Sequence, residues 1–220
     1  MRIRVGEHVG DVAAILLDPP GAQSLYVFAH GAGAGLRHAF METLAQALAE
    51  HGVATLRYNF PYLEAGKGRP DPPAVLEATV RAAIDAATPI AKGRTVIAGG
   101  KSMGGRMTSQ LLAKRSDLPV KGLACVGFPL HQPGKPALSR AAHLHDVRVP
   151  MLFMQGTRDT LADLALMQEV CAALGDIATL HIVAGADHSF HVLKRSGRSG
   201  AEVFEELANT LADWAASLSK

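Results

Sequence analysis

The chain has 220 residues, 48% of them hydrophobic and 19% charged, and a net charge of +2. That is ordinary for a compact α/β protein with a sizeable core, and no Ser/Gly/Pro-rich linker divides it, so one domain over residues 1–220 is expected. The small charge argues against a nucleic-acid partner. No run of about 18 apolar residues is present, and residues 1–5 show no apolar signal core, so neither a membrane partner nor export is expected. Cys125 and Cys171 are the two cysteines. They read as small buried residues in a reducing cytoplasm, and no Cys/His spacing suggests a metal, so no cofactor is expected.

In chain order, residues 2–5 and 12–17 read as amphipathic strands, and 25–29 as a buried one. A helix follows with Phe40, Met41, Leu44, Ala45 and Leu48 on one face, closed by Gly52. Residues 54–58 form the next strand. Asp71 then reads as an N-cap with Pro72 at the first helical position, and Leu76, Val80 and Ile84 make the buried stripe. The strand at 94–98 leads into a helix burying Met103, Met107, Leu111 and Leu112. After strands at 122–126 and 149–154, Asp163 opens a helix carrying Leu164, Met167, Cys171 and Leu174, ended by Gly175. A strand at 179–183 precedes a last helix, which starts with the capping box Ser199-x-x-Glu202 and buries Val203, Leu207, Leu211, Trp214 and Leu218. Such alternation calls for a mainly parallel sheet with helices on both faces, and for a ligand site beyond the strand carboxyl ends.

Three loops at that sheet end carry chemistry. Gly100-Lys101-Ser102-Met103-Gly104 stands between a strand and a helix, where a tight turn lifts a serine Oγ clear of the sheet and glycines avoid collisions. Asp159 follows the strand at 149–154, and His188 follows the strand at 179–183. Serine, acid and histidine in this order suit a nucleophile, an orienting carboxylate and a general base. Asp163 is better used as an N-cap, and Asp187 adjoins the histidine too closely to bond it well. His181 lies mid-strand and His143 and His145 precede the acid strand, which leaves His191 as the rival base. Upstream, His30-Gly31-Ala32-Gly33 ends the strand at 25–29. This loop could supply Ala32 N–H beside Met103 N–H as an oxyanion hole, with His30 shaping the loop.

These motifs resemble the small, dienelactone-hydrolase-like α/β-hydrolases. Tyr58-Asn59-Phe60-Pro61-Tyr62, Gly66-Lys67-Gly68-Arg69-Pro70-Asp71 and the segment from His188 to Gly197 further resemble one subfamily. It holds bacterial predicted hydrolases, a testis-expressed animal protein and a subunit of the non-specific lethal chromatin complex. The resemblance implies an α/β-hydrolase fold without a large lid, an intact triad and no agreed substrate. A serine hydrolase acting on a small-molecule or surface-borne ester is the expectation, as a monomer or homodimer. A scaffold that keeps the fold without the chemistry, or a thioesterase, amidase or acyl transferase, stands as the alternative.

The remaining substrate contacts are expected at His30 and Gly31, at Asn59 and Phe60, at Lys101 inside the elbow, and at Phe128 in the 127–150 connector. Lys194, Arg195 and Arg198, with Lys67 and Arg69, are expected to ring the mouth with positive charge, as plain solvated basic loops or, alternatively, as a rim that holds a carboxylate or phosphate of the substrate.

Overall fold

The computed structural model describes residues 1–218. Its eight strands are β1 (Arg2–Gly6), β2 (Gly10–Leu17), β3 (Ser24–Ala29), β4 (Val53–Tyr58), β5 (Thr95–Lys101), β6 (Gly122–Val126), β7 (Met151–Gly156) and β8 (Ala178–Val183). They form one sheet in the order β1-β2-β4-β3-β5-β6-β7-β8. The pairs β1/β2 and β2/β4 are antiparallel, and every pair from β4 to β8 is parallel. Strands β3, β4, β6 and β7 are buried along their whole length. That is why their sequences read as continuous apolar runs rather than alternations.

Helices cover both faces. Helices α3 (Pro73–Ala91), α4 (Met103–Lys114) and α5 (Leu164–Leu174) pack on one, and α1 (Ala39–Glu50) and α6 (Gly200–Ser217) on the other. Their stripes are largely those the periodicity marks. Met103, Leu164, Leu174, Trp214 and Leu218 are only partly buried. The capping box of α6 is formed: Glu202 N–H donates to Ser199 Oγ at 3.2 Å, and Ser199 N–H to Glu202 Oε2 at 2.6 Å. Both cysteines are buried, and burial pushes their thiols up, Cys171 to about 11.

Asp71 is not the cap of α3. A residue before proline is driven towards extended backbone, so Pro72, followed by Pro73, sits at ψ 149 and the helix starts one residue later. Asp71 Oδ2 instead accepts from Tyr62 N–H at 2.7 Å, beside a one-turn helix, α2 (Pro61–Glu64), that periodicity does not reveal. The connector between β6 and β7 holds a single 3-10 turn, Ala142–Asp146, and no helical cap. No helix among the described residues is long and apolar enough to cross a membrane.

Candidate active site

The parallel strands end together, and their loops build the site. Strand β5 runs up to Lys101, and α4 starts at Met103, so Ser102 alone makes the turn, at φ 51 and ψ −114. Few non-glycine residues adopt such a backbone, and it is held by tight packing on both sides. A Cβ on Gly100 would lie 2.4 Å from Ala29 O, and one on Gly104 would lie 2.5 Å from the same oxygen. Helix α4 therefore meets the end of β3 only because these positions carry no side chain.

Ser102 Oγ lies 2.9 Å from His188 Nε2, and His188 Nδ1 lies 2.8 Å from Asp159 Oδ2. The Asp159 side chain is fully buried. Its Oδ1 accepts from Leu161 N–H at 2.8 Å, and Oδ2 also accepts from Gln155 Nε2 at 2.5 Å. A carboxylate can only accept, so the Gln155 amide must turn its nitrogen towards it. The competing groups are occupied elsewhere. Asp163 caps α5 through Leu166 N–H, and Asp187 Oδ1 accepts from Ser189 and His191 N–H. The His181 ring meets Glu206 and that of His143 meets Ser109. His191 sits on the cleft wall, while the Ser102 hydroxyl is bonded to His188.

His30 is fully buried, and its Nε2 accepts from Phe60 N–H at 3.1 Å. The ring proton is therefore on Nδ1, which faces Gly31 O at 2.6 Å. Burial pulls its pKa down to about 4, so it serves as a neutral strut under the loop that follows β3. In that loop Gly33 N–H donates to Tyr62 Oη and Ala34 N–H to Gly31 O. Ala32 N–H has no protein partner among the described residues. It borders the same cleft as Ser102.

That cleft has a volume of about 580 Å³. Phe40, Met41, Leu161 and Phe204 give it an apolar wall, and Gly31, Lys101 and His188 lie beside Ser102. Several expected substrate contacts are elsewhere. Phe60 is buried against His30, with ring centres 5.0 Å apart, and Phe128 packs on Phe153 in the core. Asn59 faces a separate hollow with Met1 and Leu63, and bonds Leu36 N–H and Glu64. The basic loops do not line the cleft. Lys67, Arg69, Lys194 and Arg195 are exposed away from it. Arg198 pairs with Glu206 on α6 and donates to Ala184 O. Pairing of this kind depends on where α6 packs and cannot be read from loop composition. Sequence reading missed Gln155, Leu161 and the aromatic wall. Composition hides that β7 runs on to Gly156, so nothing in the sequence marks Gln155 as a neighbour of the acid. Among the described residues, no three His, Cys, Asp or Glu side chains gather in a way that could hold a metal ion.

A family model described as an alpha/beta hydrolase domain matches residues 22–216. Among solved structures, a dienelactone hydrolase from Anabaena variabilis ATCC 29413 is 23% identical, covers 97% of this chain and 94% of its own, and has a TM-score of 0.76. A lidless a/b serine hydrolase from Xanthomonas campestris is 20% identical over 97% of this chain and 93% of its own, with a TM-score of 0.74. Est1E from Butyrivibrio proteoclasticus, with ferulic acid bound, is 18% identical over 90% and 94%, at 0.67. At such identities the structures agree in fold, and the family model carries the assignment: this chain belongs to the α/β-hydrolases.

Proposed function

We propose that the chain is a serine hydrolase of carboxylesterase type, acting on compact small-molecule esters. The observation that carries this reading is the unbroken hydrogen-bond chain Ser102–His188–Asp159 behind a serine in a strained turn. Ser102 Oγ attacks the acyl carbon while His188 Nε2 takes its proton. His188 then returns the proton to the leaving alcohol, and a water repeats the sequence to free the acid. Asp159 fixes the Nδ1–H tautomer and stabilises imidazolium. The oxyanion is met by the N–H groups of Met103 and Ala32, each worth about 3 kcal/mol to the transition state. The open cleft and its apolar wall favour short or aromatic acyl groups over long lipid chains, and the finer likeness to the subfamily named above is part of the same reading.

A fluorophosphonate probe tests it. Wild-type protein should be labelled at Ser102 and should hydrolyse p-nitrophenyl esters faster than the matching thioesters and amides, with kcat/KM falling as the acyl chain lengthens. Ser102→Ala should fold, escape labelling and be inactive. Equal labelling of the two proteins refutes the reading.

A further inference from the structure

Lys101 is the last residue of β5 and directly precedes the nucleophile, yet it is 8% exposed. Burying an ammonium is costly unless its hydrogens and charge are met. Here Nζ donates to His188 O at 2.6 Å. It also lies 5.5 Å from the centre of the Phe40 ring and 5.4 Å from that of Phe190, close enough for cation–π attraction. A Cβ on Gly127 would stand 3.0 Å from Nζ and 3.3 Å from the Phe190 ring, so the lysine tip fits tightly against this glycine.

The turn bearing His188 bonds mainly to itself. Phe190 N–H donates to Asp187 O, Asp187 N–H to His191 O, and the Asp187 carboxylate collects Ser189 and His191 N–H. The carbonyl of His188 is left out of this set, and Lys101 is its partner among the described residues. Phe190 adopts φ 63, a left-handed backbone unusual for an aromatic residue. That conformation places its ring against Nζ.

We propose that Lys101 is a positioning residue whose side chain clamps the main chain of His188, so that base and nucleophile are joined by a second link besides the Ser102–His188 hydrogen bond. This rests on the reading of Ser102 and His188 as nucleophile and base. The clamp fixes where the imidazole stands when it takes the serine proton. It acts on the transition state, and substrate binding does not depend on it. A misplacement of about 1 Å in such a group costs up to roughly a hundredfold in rate.

The test compares wild type with Lys101→Met, which keeps the length and apolar stem and removes the charge and donors. Burial pulls the Lys101 pKa down to about 8 from 10.5. The charged lysine therefore disfavours the fold at neutral pH, and the methionine variant should melt no lower than wild type. With a neutral ester, kcat should fall tenfold or more on the scale above and KM should stay within about twofold. Lys101→Ala is the second variant. Its kcat should recover severalfold with ethylammonium, which can donate, and not with tetramethylammonium, which cannot. A folded Lys101→Met with kcat within twofold of an active wild type overturns the proposal. So does a defect confined to KM, most of all one limited to anionic esters, because that marks a substrate counter-ion. Absence of ethylammonium rescue also counts against it. A wild type that neither labels nor turns over removes the hydrolase reading itself, an outcome distinct from these.

Discussion

At the scale of single residues, the site separates a carboxylate that collects donors from a histidine kept neutral by burial. Asp159 accepts from His188, Gln155 and Leu161. Asp159→Asn would leave the shape nearly intact but put an N–H or a poorer acceptor against Nδ1. We expect kcat to drop by about 10⁴-fold with little change in melting temperature, read from ester hydrolysis and a thermal scan. His30 makes a different prediction. Its folded pKa of about 4 lies below the ordinary histidine value of 6.5. As pH falls from about 6.5 towards 4, the unfolded chain takes up a proton that folded His30 refuses. Stability present above that window is therefore lost across it, by roughly 2 kcal/mol between pH 7 and pH 5 from this residue alone. Urea unfolding of wild type and His30→Gln at both pH values should show a shallower pH dependence in the variant. An identical slope in the two proteins would mean that His30 does not carry this acid sensitivity. The juxtaposition of Ser102, His188 and Asp159 could be read from the chain because each follows a strand and the Gly-x-Ser-x-Gly motif itself imposes a turn. Lys101 could be seen but not placed, since its partner lies 87 positions away and only the folded turn shows an unclaimed carbonyl.

Among elements, the union of β3, β5 and α4 sets the site. Gly104→Ala would bring a Cβ to 2.5 Å from Ala29 O, a main-chain atom that cannot swing aside. The variant should lose about 3 kcal/mol in chemical denaturation, and its activity should fall more than its stability explains, because α4 carries Met103 N–H. Most elements were legible, since buried parallel strands give apolar runs and the helices give periodic stripes. The boundaries that slipped have local causes. Two successive prolines delay α3 past Asp71, and α2 has too few residues to show a period. At β7 the strand takes in polar Gln155 and Gly156, so composition hides its final pair. Neither Gln155 nor the Phe40–Phe204 contact, at 5.2 Å between ring centres, has a signature in one sequence. Both depend on which faces α1, α6 and β7 present after folding.

For the whole molecule, the face beyond the strand ends carries the loops, with no cap domain between β6 and β7. What the chain's charges would do there was the least legible feature. Net charge says nothing about which arginine α6 will neutralise, and Arg198 is drawn to Glu206 rather than to the mouth. The elbow also bears on the stability of the entire fold. Ser102 sits at φ 51 and ψ −114, a region that glycine enters freely and serine does not. Holding a non-glycine residue there costs about 1–3 kcal/mol. Ser102→Ala and Ser102→Gly both remove the hydroxyl bonded to His188, and they differ in relief of the turn. Glycine in place of alanine ordinarily destabilises by about 0.5–1 kcal/mol inside a regular element. Here Ser102→Gly should unfold at a denaturant concentration equal to or higher than Ser102→Ala does, and a clearly lower midpoint would show that the turn is not strained. A descendant of this chain that served only as a binding scaffold would gain stability by drifting to glycine at position 102 wherever relief of the turn exceeds the lost Ser102–His188 hydrogen bond. Glycine at this position would then mark a member of the fold that no longer needs the hydroxyl.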